Sequence, residues 1–342
     1  MAKNVLITGG TRGIGAACAQ LFSKKGYNVF LTFNKDEKSA NKIAKELSCK
    51  VYKMDVKDHK AVAETIWKII SEEGRIDVLI NNAGIAAQNM TSLAAGMALE
   101  GKTVFTYSIG NFPTLRCLEQ IRNDCAYHGA NVKVVCVGGG FVYGSLGMSH
   151  HATEDIAVMR ALPDVTVFAP GDLVEAEEVT KLAYKTQGTC YIRLGRGGEK
   201  RIHDKIDGFT IGKAIEIQKG RKVAVLSTGA IFDEVKEALD ELANENIIPT
   251  VYTFPTVKPI DGQVIENLAS THETIITVEE QNLSGGFGSA VAEIMAESSG
   301  KARLKRIALQ DRYSSIVGSQ KYLRREYGID SAKIIKTVKE SW

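Results

Sequence analysis

Residues 5–15 read Val-Leu-Ile-Thr-Gly-Gly-Thr-Arg-Gly-Ile-Gly, and the reading of the fold starts there. Val5–Thr8 is a short apolar run ending on glycines, the pattern of a strand buried on both faces of a parallel sheet. A helix is expected from Gly13 to Lys25, with Ile14, Ala17, Cys18, Leu21 and Phe22 on one buried stripe. Glycines between such a strand and such a helix allow a tight turn and a close backbone approach. The helix N-terminus behind them favours a phosphate.

The alternation continues outward from this turn. Strands are expected at Asn28–Phe33, Lys50–Val56 and Val78–Ile80, with helices at Glu37–Leu47 and Ala61–Glu73. That order is βαβαβαβ, which requires right-handed crossovers and a parallel sheet. Further strands follow at Thr103–Tyr107, Val132–Val137, Val165–Phe168 and Cys190–Leu194, between helices at Met90–Leu99, Thr114–Cys125, Ala152–Ala161 and Leu173–Lys185. A third series begins at Val223–Ser227, after a polar stretch, residues 195–207, that reads as a linker. The expected class is α/β, a parallel doubly wound sheet followed by a second α/β domain. The boundaries fall at 1–85, 86–200 and 208–342.

Composition narrows the function classes. The chain has 342 residues, 44% apolar and 24% charged, with net charge +3. Residues 1–86 hold 14 Lys+Arg against 9 Asp+Glu, and the remainder holds 29 against 31, so neither part carries a basic stripe for nucleic acid or an anionic membrane. No apolar run reaches the roughly 18–20 residues that span a bilayer. The N-terminus enters a strand at once, without the apolar core of a signal peptide. The six cysteines have no C-x-x-C spacing and are expected as buried, reduced thiols. A cytoplasmic protein is expected, with no metal site of its own.

The glycine turn is followed by Asp55-Val56 at the end of the third strand and Asn81-Asn82-Ala83-Gly84 at the end of the fourth. This set resembles the short-chain dehydrogenase/reductase family. The resemblance implies a nucleotide site of Gly9, Arg12, Gly13, Ile14, Gly15, Asp55, Val56, Asn81, Ala83 and Gly84. The second strand ends Thr32-Phe33-Asn34-Lys35, with no acid for a ribose 2′-hydroxyl, and Arg12 and Lys35 suit a 2′-phosphate, so NADP(H) is expected over NAD. The family's chemistry needs a tyrosine with a lysine four residues later. None of the eleven tyrosines has one, and the resemblance stops at Gly84.

From Gly84 the sequence reads Gly-Ile-Ala-Ala-Gln-Asn-Met, then Ala94-Ala95-Gly96-Met97-Ala98, Glu119-Gln120-Ile121-Arg122, Ser149-His150, Glu154–Arg160, Tyr191–Arg196 and Gly285–Glu293. This collinear series is similar to the C-terminal portion of transketolase, its pyrimidine-binding and C-terminal domains. The resemblance implies ketol transfer with thiamine diphosphate. Ala87 stands where the family has the glutamate that activates the cofactor. Phe112 stands where an aromatic stacks on the aminopyrimidine, His150 where a histidine reaches the substrate, and Arg196 where an arginine pairs with the substrate phosphate. Gly138-Gly139-Gly140 and Leu146 occupy positions where many transketolases hold a histidine and an aspartate.

The Gly-Asp-Gly…Asn signature for Mg²⁺ and the diphosphate is absent. Thiamine diphosphate with Mg²⁺ is therefore expected only through a partner subunit. The expected assembly is a homodimer or a heterotetramer with an N-terminal transketolase-type subunit, acting on a sugar or sugar phosphate. Two other readings stay open: an NADP(H)-binding protein lacking its Tyr/Lys pair, and a catalytically defective fusion. Both families share Gly-Ile-Ala, and the switch falls on that string, so recombination within Gly84–Gln88 is the expected origin.

Overall fold

The computed structural model describes residues 2–56, 58–81 and 87–342. The chain divides into two compact units, Met1–Ser108 with Arg116–Val134 and Ile109–Leu115 with Val135–Trp342.

In the first unit the elements are β1 (Asn4–Thr8), α1 (Gly13–Lys24), β2 (Asn28–Phe33), α2 (Glu37–Leu47), β3 (Lys50–Lys53), α3 (His59–Glu73), β4 (Val78–Asn81), α4 (Ala87–Leu99), β5 (Thr103–Ile109) and a one-turn α5 (Leu118–Gln120). The strands run parallel in the order β5-β4-β1-β2-β3. β1 is central and all five of its residues are buried, which is why it reads as an unbroken apolar run. Val5, Ile7, Val29, Leu31, Ile43, Val78 and Ile80 form the core, each side chain contributing about 1.5–3 kcal/mol by leaving water. Asp36 and Asp58 cap α2 and α3 by accepting backbone N–H bonds in their first turns.

Two helices differ from expectation. On α1 it is Gly15 and Ala19 that are buried, with Ala16, Cys18 and Phe22 packed against the core, whereas Ile14 is 49% and Leu21 53% exposed. The small residues let the helix lie close to the sheet, and that rotates the two larger ones outward. The stretch expected as a helix over Thr114–Cys125 is a 3₁₀ turn (Leu115–Cys117), then α5, then a π-helix (Ile121–Ala126). The wider π turn keeps Ile121, Cys125 and Ala126 buried together.

The second unit takes in most of the later elements: β6 (Val132–Val137), α6 (Asp155–Ala161), β7 (Thr166–Phe168), α7 (Leu173–Lys185), β8 (Cys190–Leu194), β9 (Ile215–Gln218), β10 (Val223–Ser227), α8 (Phe232–Asn244), β11 (Thr250–Thr253), β12 (Thr256–Lys258), α9 (Gly262–Thr271), β13 (Thr274–Asn282), α10 (Phe287–Glu297), β14 (Arg303–Leu309), α11 (Gln320–Glu326) and α12 (Ser331–Lys339). One group of strands runs β12-β7-β8-β6, with β12 antiparallel to β7. The other sheet runs β14-β13-β10-β11-β9 and is parallel except for β9. Val223, Val225, Val235, Leu242, Ile276, Val278 and Ile334 are the centre of its core.

Residues 195–207 form no regular element but are fixed at several points. Asp172 Oδ2 accepts from Ile202 N at 2.7 Å and from His203 N at 3.2 Å. Asp233 Oδ1 accepts from Lys200 N at 2.9 Å, and His203 Nε2 lies 2.8 Å from Glu175 Oε1. All six cysteines are free thiols, four of them buried. Among the described residues no helix is long and apolar enough to cross a membrane.

Candidate functional site

The register of β1 on β2 pairs Ile7 with Leu31 and leaves the turns after both strands side by side. Between them lies a cleft of about 450 Å³, bordered by residues of the 9–12 and 33–36 turns. Gly9 has a φ of 61° and Gly13 of 54°, left-handed values that favour glycine. A Cβ on Gly10 would sit 2.6 Å from Leu31 Cδ2 and 3.0 Å from Ile7 O, so this turn closes only with hydrogen there. Thr32 holds it from the neighbouring strand, accepting from Gly9 N through Oγ1 at 3.3 Å and from Gly10 N through its carbonyl at 3.2 Å.

Arg12 and Lys35 both border the cleft. So does Asp36, which the sequence reading did not single out. Its carboxylate accepts from Ser39 N at 3.0 Å and from Ser39 Oγ at 2.8 Å, and lies 3.8 Å from Arg12 Nη1. The bonds from Ser39, with the Arg12 charge behind them, hold its pKa below the usual carboxylate value. Arg12 is the N-cap residue of α1, and its side chain makes no capping bond to that helix. Gly15 is buried inside α1 and Ile14 is half exposed beside it. Asp55 and Val56 follow β3, half-buried, and do not border the cleft. Asn81 ends β4, its backbone in register with Thr8. Ala83 and Gly84 lie outside the described residues.

Ala87 is the first residue of α4 and is 4% exposed, and its carbonyl accepts from Thr91 Oγ1 at 2.9 Å. In the second unit Phe112 and His150 come together, ring centroids 5.2 Å apart and planes at 69°. Ser149 Oγ lies 3.1 Å from His150 Nδ1. His151 turns inward, its ring edge-on to Phe141, and its carbonyl accepts from Asn111 Nδ2. Burial lowers its pKa below the usual imidazole value. Arg196 stacks over the Tyr143 ring at 5.6 Å and borders a cleft of about 500 Å³ that also includes Glu199, Asp233, Gln320 and Arg324. Neither Phe112 nor His150 borders that cleft. Among the described residues no group of three or more His, Cys, Asp or Glu side chains is gathered as a metal site.

A buried ionic cluster that sequence reasoning missed organises the 138–152 loop. Asp155 Oδ2 accepts from Tyr191 Oη at 2.6 Å and from Arg193 Nε at 2.8 Å. Arg193 Nη2 donates to the carbonyls of Ala152 and Glu280, both at 2.9 Å. Burial works against the Arg193 charge, but Asp155 and Glu280 hold its pKa above the ordinary guanidinium value. Burial, then the Asp155 charge, pushes the Tyr191 phenol well up. Glu280 in turn accepts from Phe141 N at 2.9 Å and from Arg324 Nη2 at 2.6 Å. A Cβ on Gly139 would meet Arg193 Cζ at 2.6 Å, and one on Gly140 would meet Glu280 Cγ at 2.4 Å. The glycine run at 138–140 thus makes room for these two side chains. Arginine inside the otherwise apolar strand Cys190–Leu194 was the sequence signal for a paired, buried charge.

Comparison with known proteins bears on the larger part of the chain. A family model for the transketolase pyrimidine binding domain matches residues 57–198, and one for the transketolase C-terminal domain matches 212–334. One subunit of the apulose-4-phosphate transketolase of Actinobacillus succinogenes is 35% identical over 254 residues, 74% of this chain and 82% of that protein. The chain belongs to the transketolase family. A putative transketolase C-terminal section from Methanocaldococcus jannaschii is 36% identical over 264 residues, covering 76% of this chain and 81% of that protein. A solved split-gene transketolase, described as an inactive beta4 tetramer, superposes with a TM-score of 0.71 at 28% identity, over 81% of this chain and 95% of that one. A short chain dehydrogenase model matches residues 3–101, so that part of the chain is similar to that family.

Proposed function

We propose that this chain is the C-terminal subunit of a two-chain ketol transferase, joined to an NADP(H)-binding half-site, and that it does not turn over alone. The observation that carries the reading is the match to 82% of a protein that is itself one subunit of a transketolase. His150 beside Phe112 is suited to face a sugar, and Arg196 to hold a phosphate through its planar fork of donors. A partner subunit would supply Mg²⁺ and the diphosphate site.

The residues present do not fit activation of thiamine diphosphate. Ala87 stands at the position of the expected glutamate, and a buried methyl group neither accepts nor shares a proton. This favours, as a second reading, a catalytically defective fusion. Ala87→Glu separates the two when assayed with a diphosphate-binding transketolase subunit and a ketose phosphate. Ketol transfer gained by the variant and absent from the parent supports the subunit reading. No gain in a folded variant that still associates supports the defective one.

A further inference from the structure

We propose that Glu199 is an internal occupant of the anion seat beside Arg196, so that a phosphorylated ligand binds there only by displacing the Glu199 carboxylate. The proposal rests on the reading of Arg196 as a phosphate-holding residue and adds the side chain that sets how far the site favours a phosphorylated over a neutral sugar.

The carboxylate sits on a pair of backbone donors. Glu199 Oε1 accepts from Arg196 N at 2.9 Å and from Gly197 N at 3.0 Å. Successive amides converging on one oxygen form the kind of concavity that holds phosphate and other anions. The local sequence makes room for it. A Cβ on Gly195 would collide with the same Glu199 oxygen, and Gly197 and Gly198 take φ of 98° and 95°, which turns the chain back over its own amides. The loop does not depend on Glu199 for its course. Just beyond it, Lys200 N donates to Asp233 Oδ1 at 2.9 Å and Ile202 N to Asp172 Oδ2 at 2.7 Å.

Charge gives the occupation its consequence. Arg196, Glu199, Asp233 and Arg324 border the same cleft of about 500 Å³. Arg324 is buried and already committed, to Glu280 Oε2 at 2.6 Å and to Glu234 Oε1 at 3.4 Å. Arg196 is exposed, with its guanidinium over the Tyr143 ring at 5.6 Å, and a fork of donors there suits a phosphate. One available cation thus shares the cleft with two carboxylates, Glu199 and Asp233. A phosphate dianion arriving at Arg196 meets like charge and finds the two amides taken. A neutral sugar meets no such repulsion. One partly solvated carboxylate a few ångströms from the phosphate weakens binding by about three- to tenfold.

The test is titration of the full chain by ligand-observed NMR with D-ribose 5-phosphate and, as the neutral control, D-ribose. Glu199→Ala is expected to bind ribose 5-phosphate about three- to tenfold tighter than the parent, with ribose unchanged. Glu199→Gln keeps an oxygen for the two amides and loses the charge, so a smaller gain is expected from it. Adding Arg196→Gln to Glu199→Ala is expected to abolish the gain. Equal binding of ribose 5-phosphate by the parent and Glu199→Ala, with loss in Arg196→Gln alone, would overturn the proposal and leave the phosphate reading of Arg196 standing. Weaker binding by the Glu199 variants, or an equal gain for ribose, would overturn it as well. Folded proteins that bind no ribose 5-phosphate, parent and variants alike, would remove the proposal and the reading beneath it.

Discussion

Arg193 Nε lies 2.8 Å from Asp155 Oδ2, and the two side chains are 5% and 0% exposed. The Tyr191 hydroxyl donates to the same oxygen, so one carboxylate holds two buried donors on β8. Removing the arginine alone leaves Asp155 charged and buried without its cation. Arg193→Met is therefore expected to lower stability by about 3–5 kcal/mol, and Asp155→Leu added to it to recover much of that loss. Urea denaturation of the single and double variants measures both. A loss under about 1 kcal/mol for the single variant would mean that the pair is not desolvated as described.

Glu279 gives a pH dependence with a definite sign. Its carboxylate is buried beneath α10 and accepts from Phe287 N at 2.6 Å and Gly288 N at 2.7 Å. Burial raises its pKa from 4.5 to about 7, although the two backbone bonds and the Arg193 and Arg306 charges oppose the shift. A carboxyl raised on folding favours the folded state when protonated. Its contribution is complete below pH 4.5 and is lost as the pH rises through about 7. Glu279→Gln is expected to flatten the stability profile across that window, as read by denaturation at a series of pH values. An unchanged slope would show that another group produces it.

Asp36 faces the same cleft as Arg12 and Lys35 and subtracts charge from it. Asn is also a good helix cap, so Asp36→Asn keeps the bond from Ser39 N while removing the charge. NADPH is expected to bind about two- to fourfold tighter to the variant, less so at high salt. Weaker binding would mean that the carboxylate accepts a bond from the ligand.

Gly10 fixes the distance between the 9–12 turn and β2. Gly10→Ala places a methyl within 2.6 Å of Leu31 Cδ2, and the turn must shift to accept it. A stability loss of about 1–3 kcal/mol is expected, together with weaker nucleotide binding. Full stability in the alanine variant would contradict the close packing of this turn.

The parallel α/β order was legible because its strands are buried on both faces and its helices are amphipathic. Val132–Val137, Leu173–Lys185, Cys190–Leu194 and Val223–Ser227 fall where the sequence puts them. The antiparallel edge strands β9 and β12 escaped, being three or four residues long and only partly apolar. Ile14 and Leu21 misled because hydrophobic periodicity marks a face, whereas the close approach of α1 selected the face carrying Gly15 and Ala19. In the cleft between the 9–12 and 33–36 turns, Gly9, Arg12 and Lys35 were legible from the sequence. Asp36 was not, since only the pairing of β1 with β2 brings it beside Arg12. The meeting of Phe112 with His150 needs the folded loops that separate them by 38 positions in the chain, and no local spacing announces it.

The division of labour proposed for this chain is tested by titrating the purified, folded protein with NADPH and, separately, with thiamine diphosphate and Mg²⁺, following heat. Saturable binding of NADPH is expected, and none of thiamine diphosphate in the absence of a partner subunit. Saturable thiamine diphosphate binding by the isolated chain, with no heat from NADPH, would contradict it.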